Sequence, residues 1–177
     1  MNKTPENSVE SQETPEYSFK EGTQEVLKRI LKILENQNFA VVAFNSTSSN
    51  VGKTELAKKL KKELELGNDV YVIPLHGLNE DDKKRFEENY ALSTAKKVVI
   101  ILEQAQMRGE LEEKDSRDVH NKMVAKDLSD VFPNIKKIDL WVGLYRPDRP
   151  FFPEKEGDKS LKPLADIIIR NEFAKDK

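Results

Sequence analysis

The sequence predicts an α/β domain built on a mostly parallel sheet. Two observations carry this prediction: short, continuously apolar segments recur along the chain, and amphipathic or charged segments with helical spacing separate them. Strands covered on both faces have this apolar character, and alternation with helices is typical of parallel sheets. The chain has 177 residues, enough for one such domain with a sizeable core and little more.

Charge and composition exclude several classes of function. The chain has 30 Lys and Arg against 32 Asp and Glu, so no net positive field favours nucleic acid or anionic lipid. It has no cysteine, which excludes disulfides and thiolate metal sites, and only two histidines. No apolar run approaches the roughly 18 residues of a membrane span, and no signal-peptide pattern opens the chain. We therefore expect a cytoplasmic protein without nucleic-acid or membrane partners.

The N-terminal 20 residues are predicted to be a flexible tail, and residues 21–177 a single domain. The tail is polar and has no apolar period, so burial cannot offset the entropy of ordering it. After Thr23, apolar residues recur at helical spacing, which predicts an amphipathic helix to about Glu35.

Five short apolar segments are predicted to be the strands of the sheet. They are Phe39–Phe44, Val70–Ile73, Val98–Leu102, Ile138–Leu144 and Ile167–Ile169. Further helices are predicted from Gly52 to Leu66, from Asp81 to about Leu92 and from His120 to about Val131. This alternation implies right-handed crossovers between parallel strands.

The most informative segment runs from Thr47 to Thr54, between the first predicted strand and the next helix. It is the phosphate-binding pattern G-x-x-x-x-G-K-[ST], with Thr47 in place of the first glycine. Backbone N–H groups of such a loop, together with the N-terminus of the following helix, hold phosphate groups. The pattern predicts nucleotide binding by Ser48, Ser49, Asn50, Val51, Gly52, Lys53, Thr54 and Glu55. In this arrangement Lys53 bridges the β- and γ-phosphates, and the Thr54 hydroxyl is a ligand of Mg²⁺.

An alternative interpretation is that Gly52, Lys53 and Thr54 simply open a helix with a solvated lysine. Their position between a buried strand and an amphipathic helix favours phosphate binding instead. Thr47 is the main departure, because a position that requires a glycine conformation would be strained by a Cβ atom.

A carboxylate follows the third predicted strand, where Glu103 comes directly after Leu102. Ligands gather at the carboxyl ends of parallel strands. Glu103 is therefore predicted to hold Mg²⁺, directly or through water, or to orient a nucleophile. The alternative is a solvated acidic residue that ends a strand.

The order of these elements resembles the uridine kinase-like branch of P-loop kinases over about residues 23 to 172. The resemblance rests on the Gly52-Lys53-Thr54 loop, the apolar strand ending in Glu103 and the Ala165-Asp166 pair before the last strand. It implies a three-layer α/β/α P-loop NTPase fold with a five-stranded sheet of order 2-3-1-4-5. It also implies ATP or GTP with Mg²⁺ as cofactors, and phosphoryl transfer to a small hydroxyl compound, nucleosides included.

Two departures from the family pattern leave the reaction open. The family has an aspartate after the second strand that accepts the proton of the substrate hydroxyl, whereas this chain has no carboxylate between Pro74 and Asn79. His76, in that segment, is either a base or a structural residue. The family's lid helix is replaced by a proline-rich loop, in which Arg146 and Arg149 either stabilise the transferred phosphate or are surface residues.

Three functions are consistent with these patterns. The first is a Mg²⁺-dependent small-molecule kinase, in which Lys53, Glu103, Arg146 and Arg149 act in catalysis and Arg108 is a weaker candidate for the acceptor site. The second is a catalytically degenerate nucleotide-binding protein that acts as a switch or scaffold, and the third is a structural domain without a ligand. The acceptor, the choice between ATP and GTP and the oligomeric state are left open by the sequence.

Overall fold

A computed structural model shows a parallel sheet with helices packed on it. The structure describes residues 14–46, 52–67, 69–75, 81, 84, 87–88, 97–103, 121–122, 125–126, 135–147 and 165–172. The strands in these ranges are β1 (Glu16–Ser18), β2 (Phe39–Ser46), β3 (Val70–Leu75), β4 (Lys97–Leu102), β5 (Leu140–Tyr145) and β6 (Ile167–Arg170). The long helices are α1 (Phe19–Leu34) and α2 (Lys53–Glu65).

The described strands form one sheet in the order β3-β4-β2-β5-β6-β1, and every neighbouring pair is parallel. The predicted α/β class is confirmed. The five predicted strands follow the order 2-3-1-4-5, and a sixth strand, β1, extends the sheet beyond β6. Since the strands are parallel, their carboxyl ends meet at one edge, which we call the carboxyl edge.

The prediction of a flexible tail through residue 20 is wrong for its last residues. Glu16–Ser18 form β1, which pairs with β6, and α1 begins at Phe19 rather than after Thr23. Ser18 is the N-cap of α1, and its hydroxyl accepts a hydrogen bond of 3.2 Å from the backbone N–H of Glu21. The strand is stabilised by pairing with residues about 150 positions away along the chain, which local composition does not reveal.

One face of the sheet is covered by both long helices. They bury apolar residues at the predicted helical spacing: Val26, Leu27, Ile30 and Leu34 from α1, and Leu56, Ala57, Leu60 and Leu64 from α2. These side chains pack on alternate residues of the strands, among them Val42 and Phe44 of β2. The packing fixes the start of α2 above the carboxyl edge.

The opposite face of the sheet carries a second buried cluster. It contains Val41, Ile100 and Trp141 from the strands, with Ile135 and Ile138 from the segment before β5. Burial on both faces explains why the strand segments are continuously apolar instead of alternating.

The two remaining predicted helices lie largely outside the described residues. Residues 81, 84 and 87–88 of the first, and 121–122 and 125–126 of the second, are helical. Within the part of the chain that the structure describes, no helix combines the length and apolar character needed to cross a membrane.

Candidate phosphate-binding site

The candidate site lies at the carboxyl edge, where α2 begins beside the end of β4. Parallel pairing of β2 with β4 places Ala43 opposite Leu102. Glu103, directly after β4, therefore reaches the edge from which the chain leaves β2 towards α2. The motif and the carboxylate are brought together by the sheet, although about fifty residues separate them in sequence.

Gly52 is the N-cap of α2 and has the left-handed conformation, with φ 101° and ψ 17°. Its carbonyl accepts a hydrogen bond of 2.8 Å from the backbone N–H of Leu56, which starts the helix. Because Gly52 has no side chain, it cannot supply the capping oxygen that Ser or Asp brings to this position. The helix end, with its partial positive charge, is thus suited to an external anion.

Lys53 is buried despite its charged side chain, with 9% of its surface exposed. Burial lowers the pKa of Lys53 below its ordinary value of 10.5, and the negative charge of Glu103 partly opposes this effect. A buried ammonium group is unfavourable unless anions surround it. An additional anion at the start of α2 would therefore be attracted strongly.

Thr54 and Glu103 form a direct contact between α2 and the end of β4. The Thr54 hydroxyl donates a hydrogen bond of 3.1 Å to Oε1 of Glu103. Glu103 is only 3% exposed, so it is not a solvated residue at a strand end. The two side chains place a hydroxyl and a carboxylate oxygen at one point beside Lys53.

These residues fit a nucleotide with Mg²⁺. In proteins, Mg²⁺ is commonly held by one or two carboxylates together with substrate phosphates and water. Among the described residues, no group of three or more His, Asp or Glu side chains converges, so an all-protein cage is not part of the described structure. Glu103 and Thr54 supply the oxygen ligands that a phosphate-bound Mg²⁺ requires, and Lys53 supplies the charge for the phosphates.

The structure locates several of the predicted residues and brings four together, namely Gly52, Lys53, Thr54 and Glu103. The side chain of Glu55 is exposed in the first turn of α2. Arg146 follows β5 at the carboxyl edge and is half-buried. The other predicted residues lie outside the described residues: Ser48, Ser49, Asn50, Val51 and Arg149, as well as Thr47, His76 and Arg108.

Sequence reasoning missed Asn171, which is fully buried next to Gly52. It directly follows β6, at the same edge as Glu103 and Arg146. The available signal was positional: the polar residue after each parallel strand reaches the carboxyl edge, and Asn171 satisfies that rule.

No family model matches the chain, and no curated protein matches it either. Among solved structures, the Pyrococcus furiosus Hef helicase domain is similar, with 15% sequence identity and a TM-score of 0.33. The match covers 85% of this chain and 26% of the helicase-domain chain. This chain therefore spans about a quarter of the length of the helicase domain. The parallel sheet and the Gly52-Lys53-Thr54 segment at a strand-to-helix junction are compatible with a P-loop NTPase fold.

Proposed function

We propose that this chain binds a nucleoside triphosphate together with Mg²⁺ at the start of α2. The observation that carries the proposal is the hydrogen bond of 3.1 Å between Thr54 and Glu103, directly beside buried Lys53. A buried lysine and a buried carboxylate beside an exposed hydroxyl have few structural reasons to share this position, because each of the two charges is costly to desolvate. Binding of phosphate and a divalent cation accounts for all three.

Each group has a distinct role in this proposal. The N–H groups at the start of α2 and the ammonium group of Lys53 bind phosphate oxygens. The oxygens of Thr54 and Glu103 hold Mg²⁺, which when bound neutralises the charge of the phosphates. Burial of Lys53 and Glu103 excludes water and strengthens these electrostatic interactions.

The reaction that we propose for this site is phosphoryl transfer to a small hydroxyl compound, nucleosides included. The strand order 2-3-1-4-5 supports it, since this is the order implied by the resemblance to uridine kinase-like P-loop kinases. Arg146, half-buried at the carboxyl edge, is a candidate to stabilise charge on the transferred phosphate.

A second candidate is a nucleotide-binding protein without transferase activity, acting as a switch or scaffold. It is favoured by the segment at the end of β3, where Pro74 and Leu75 close the strand and no carboxylate follows through Asn79. A kinase of the uridine kinase-like pattern would need a proton acceptor there.

Isothermal titration with ATP and GTP, each with and without Mg²⁺, tests nucleotide binding. Lys53→Ala is compared with Lys58→Ala, which removes an exposed lysine from the same helix. We expect Mg²⁺-dependent binding that Lys53→Ala weakens by at least about tenfold, since a charged hydrogen-bond donor is lost. Unchanged binding by Lys53→Ala would overturn the assignment.

A transfer assay separates the two candidates. The protein is incubated with γ-labelled ATP, Mg²⁺ and a panel of hydroxylated small molecules that includes nucleosides, with Lys53→Ala as the inactive control. Label transferred to a compound supports the kinase. Tight ATP binding without transfer to any compound supports the switch or scaffold.

A further inference from the structure

The main chain of Asn171 is fixed by the sheet. Its backbone N–H donates a hydrogen bond of 2.8 Å to the carbonyl of Tyr145, which continues the pairing of β5 with β6 beyond Arg170. The residue is 0% exposed. Asn171 is therefore buried at the carboxyl edge with its backbone position fixed by the sheet.

The side chain of Asn171 lies against the α-carbon of Gly52. A Cβ atom added to Gly52 would overlap Nδ2 of Asn171 and would lie 3.6 Å from its Cγ. Cε2 of Phe19 would lie 3.4 Å from the same added Cβ atom. An amide and an aromatic ring from two distant segments of the chain thus both approach Gly52 closely.

Gly52 is the residue whose conformation decides where the phosphate-binding groups point. Glycine adopts positive φ readily but populates negative φ about as readily, so its φ of 101° is not fixed by its own chemistry. A rotation at Gly52 would redirect the first N–H groups of α2 and displace Lys53. The buried side chain of Asn171 against the α-carbon of Gly52 limits this freedom.

We propose that Asn171 is a positioning residue, which holds Gly52 in the left-handed conformation required for phosphate binding. The inference rests on the proposed nucleotide-binding function of the segment from Gly52 to Thr54. Asn171 acts through Gly52 by shape, and it makes the helix start ready for the phosphates in the ligand-free protein. Such preorganisation increases affinity because less order has to be imposed on binding.

The test compares Mg²⁺–ATP affinity with stability in the full chain. Asn171→Ala removes the side chain that contacts Gly52, and Asn171→Leu replaces it with an apolar side chain of similar size. Asn36→Ala, which removes an exposed asparagine after α1, is the control. Affinity is measured by isothermal titration, and ligand-free thermal unfolding is followed by the fluorescence of Trp141, the single tryptophan. Asn171→Ser removes most of the same atoms and replaces the alanine variant if that variant does not fold.

We expect Asn171→Ala or Asn171→Ser to weaken Mg²⁺–ATP binding by about tenfold in protein that remains folded. Asn171→Leu should recover most of this loss. A purely structural role would instead lower the unfolding temperature and leave the affinity of the folded protein unchanged, which would overturn the inference. Equal losses in the leucine and alanine variants would overturn it as well.

Failure of this inference is distinguishable from failure of the proposed function. Wild-type protein that binds no Mg²⁺–ATP defeats the proposed function and, with it, the inference. Wild-type protein that binds tightly, and an Asn171→Ala variant that binds equally well, defeat only the inference.

Discussion

The hydroxyl of Thr54 donates a hydrogen bond of 3.1 Å to the carboxylate of Glu103. The bond joins the first turn of α2 to the residue that follows β4, and Glu103 is buried where it is made. Buried Glu103 thus has the hydroxyl of exposed Thr54 as a hydrogen-bond partner, which offsets part of the cost of burying its carboxylate. The same two oxygens are hard ligands of the kind that Mg²⁺ prefers.

Glu103→Gln is expected to remove the Mg²⁺ dependence of nucleotide binding. Glutamine keeps the shape and an acceptor for Thr54, but it has no negative charge to hold the cation. We expect affinity for Mg²⁺–ATP to fall by about tenfold, while affinity for ATP alone stays equal or rises, since a like charge is removed. Titrations with and without Mg²⁺ measure both, with the exposed Glu35→Gln as control. Retained Mg²⁺ dependence in Glu103→Gln would contradict the role of Glu103.

Lys53→Met is expected to stabilise the ligand-free protein near neutral pH, by roughly 1 kcal/mol, because the buried charge is removed. The pKa of Lys53 in the folded protein lies below the 10.5 of an unfolded chain, with burial as the main cause. Between these two pKa values the unfolded chain binds more protons, so wild-type stability rises with pH over that interval. The difference in free energy of unfolding between the methionine variant and the wild type is therefore largest below the pKa of Lys53 in the folded protein, and it narrows towards pH 10.5.

Urea unfolding at a series of pH values, followed by the fluorescence of buried Trp141, measures this difference. The contributions of all other ionisable groups are common to both proteins and cancel in the comparison. A stability difference that stays constant or widens with increasing pH would show that Lys53 is not the group with the lowered pKa.

Asp166→Ala is expected to destabilise the protein by about 1–3 kcal/mol without changing the nucleotide affinity of the folded form. The carboxylate of Asp166 accepts a hydrogen bond of 2.9 Å from the backbone N–H of Trp141, and its own N–H donates to the carbonyl of Trp141 at 2.8 Å. Asp166 precedes β6 and therefore lies at the edge of the sheet opposite the candidate site.

Thermal unfolding and ATP titration of Asp166→Ala test the two halves of this prediction. Asp166→Asn, which keeps an acceptor oxygen, should lose less stability and serves as the matched comparison. A folded Asp166→Ala variant with weakened ATP binding would show that this aspartate influences the site across the sheet.

How far the sequence predicts this molecule depends on whether a feature is encoded locally. The five predicted strand segments and the Gly52-Lys53-Thr54 segment are local patterns of apolarity and spacing, and both could be recognised. The order of those strands in the sheet is not local, and it was implied only by the resemblance to uridine kinase-like P-loop kinases. Glu103 could be placed because parallel strands end at a common edge. Strand β1 could not be predicted from the sequence, because its three residues are ordered by pairing with β6.

The contact of Asn171 with Gly52 is beyond sequence reasoning for a related reason. It depends on how closely the start of α2 approaches the end of β6, which the packing of whole elements determines. No residue spacing encodes that distance, whereas the spacing of a single helix encodes its buried face.

Gly22→Ala is expected to lower the free energy of unfolding by about 1–2 kcal/mol, although alanine is the better helix former. Gly22 lies in α1 against β6, where an added Cβ atom would be 2.5 Å from Cγ1 and 2.9 Å from Cδ1 of Ile169. Alanine gains about 0.5–1 kcal/mol over glycine in a helix, but overpacking of a core costs about 1–3 kcal/mol. Overpacking is therefore the larger effect, because Ile169 is fully buried and cannot move aside freely.

Urea unfolding of Gly22→Ala, beside Gln24→Ala on the exposed side of α1, checks this prediction. The Gln24 variant meets no such neighbour on its exposed face and should be neutral or slightly more stable, so it reports helix propensity alone. If Gly22→Ala were as stable as Gln24→Ala, then α1 could shift away from Ile169 at no cost. The close approach of α1 to β6 would not then be what requires glycine at position 22.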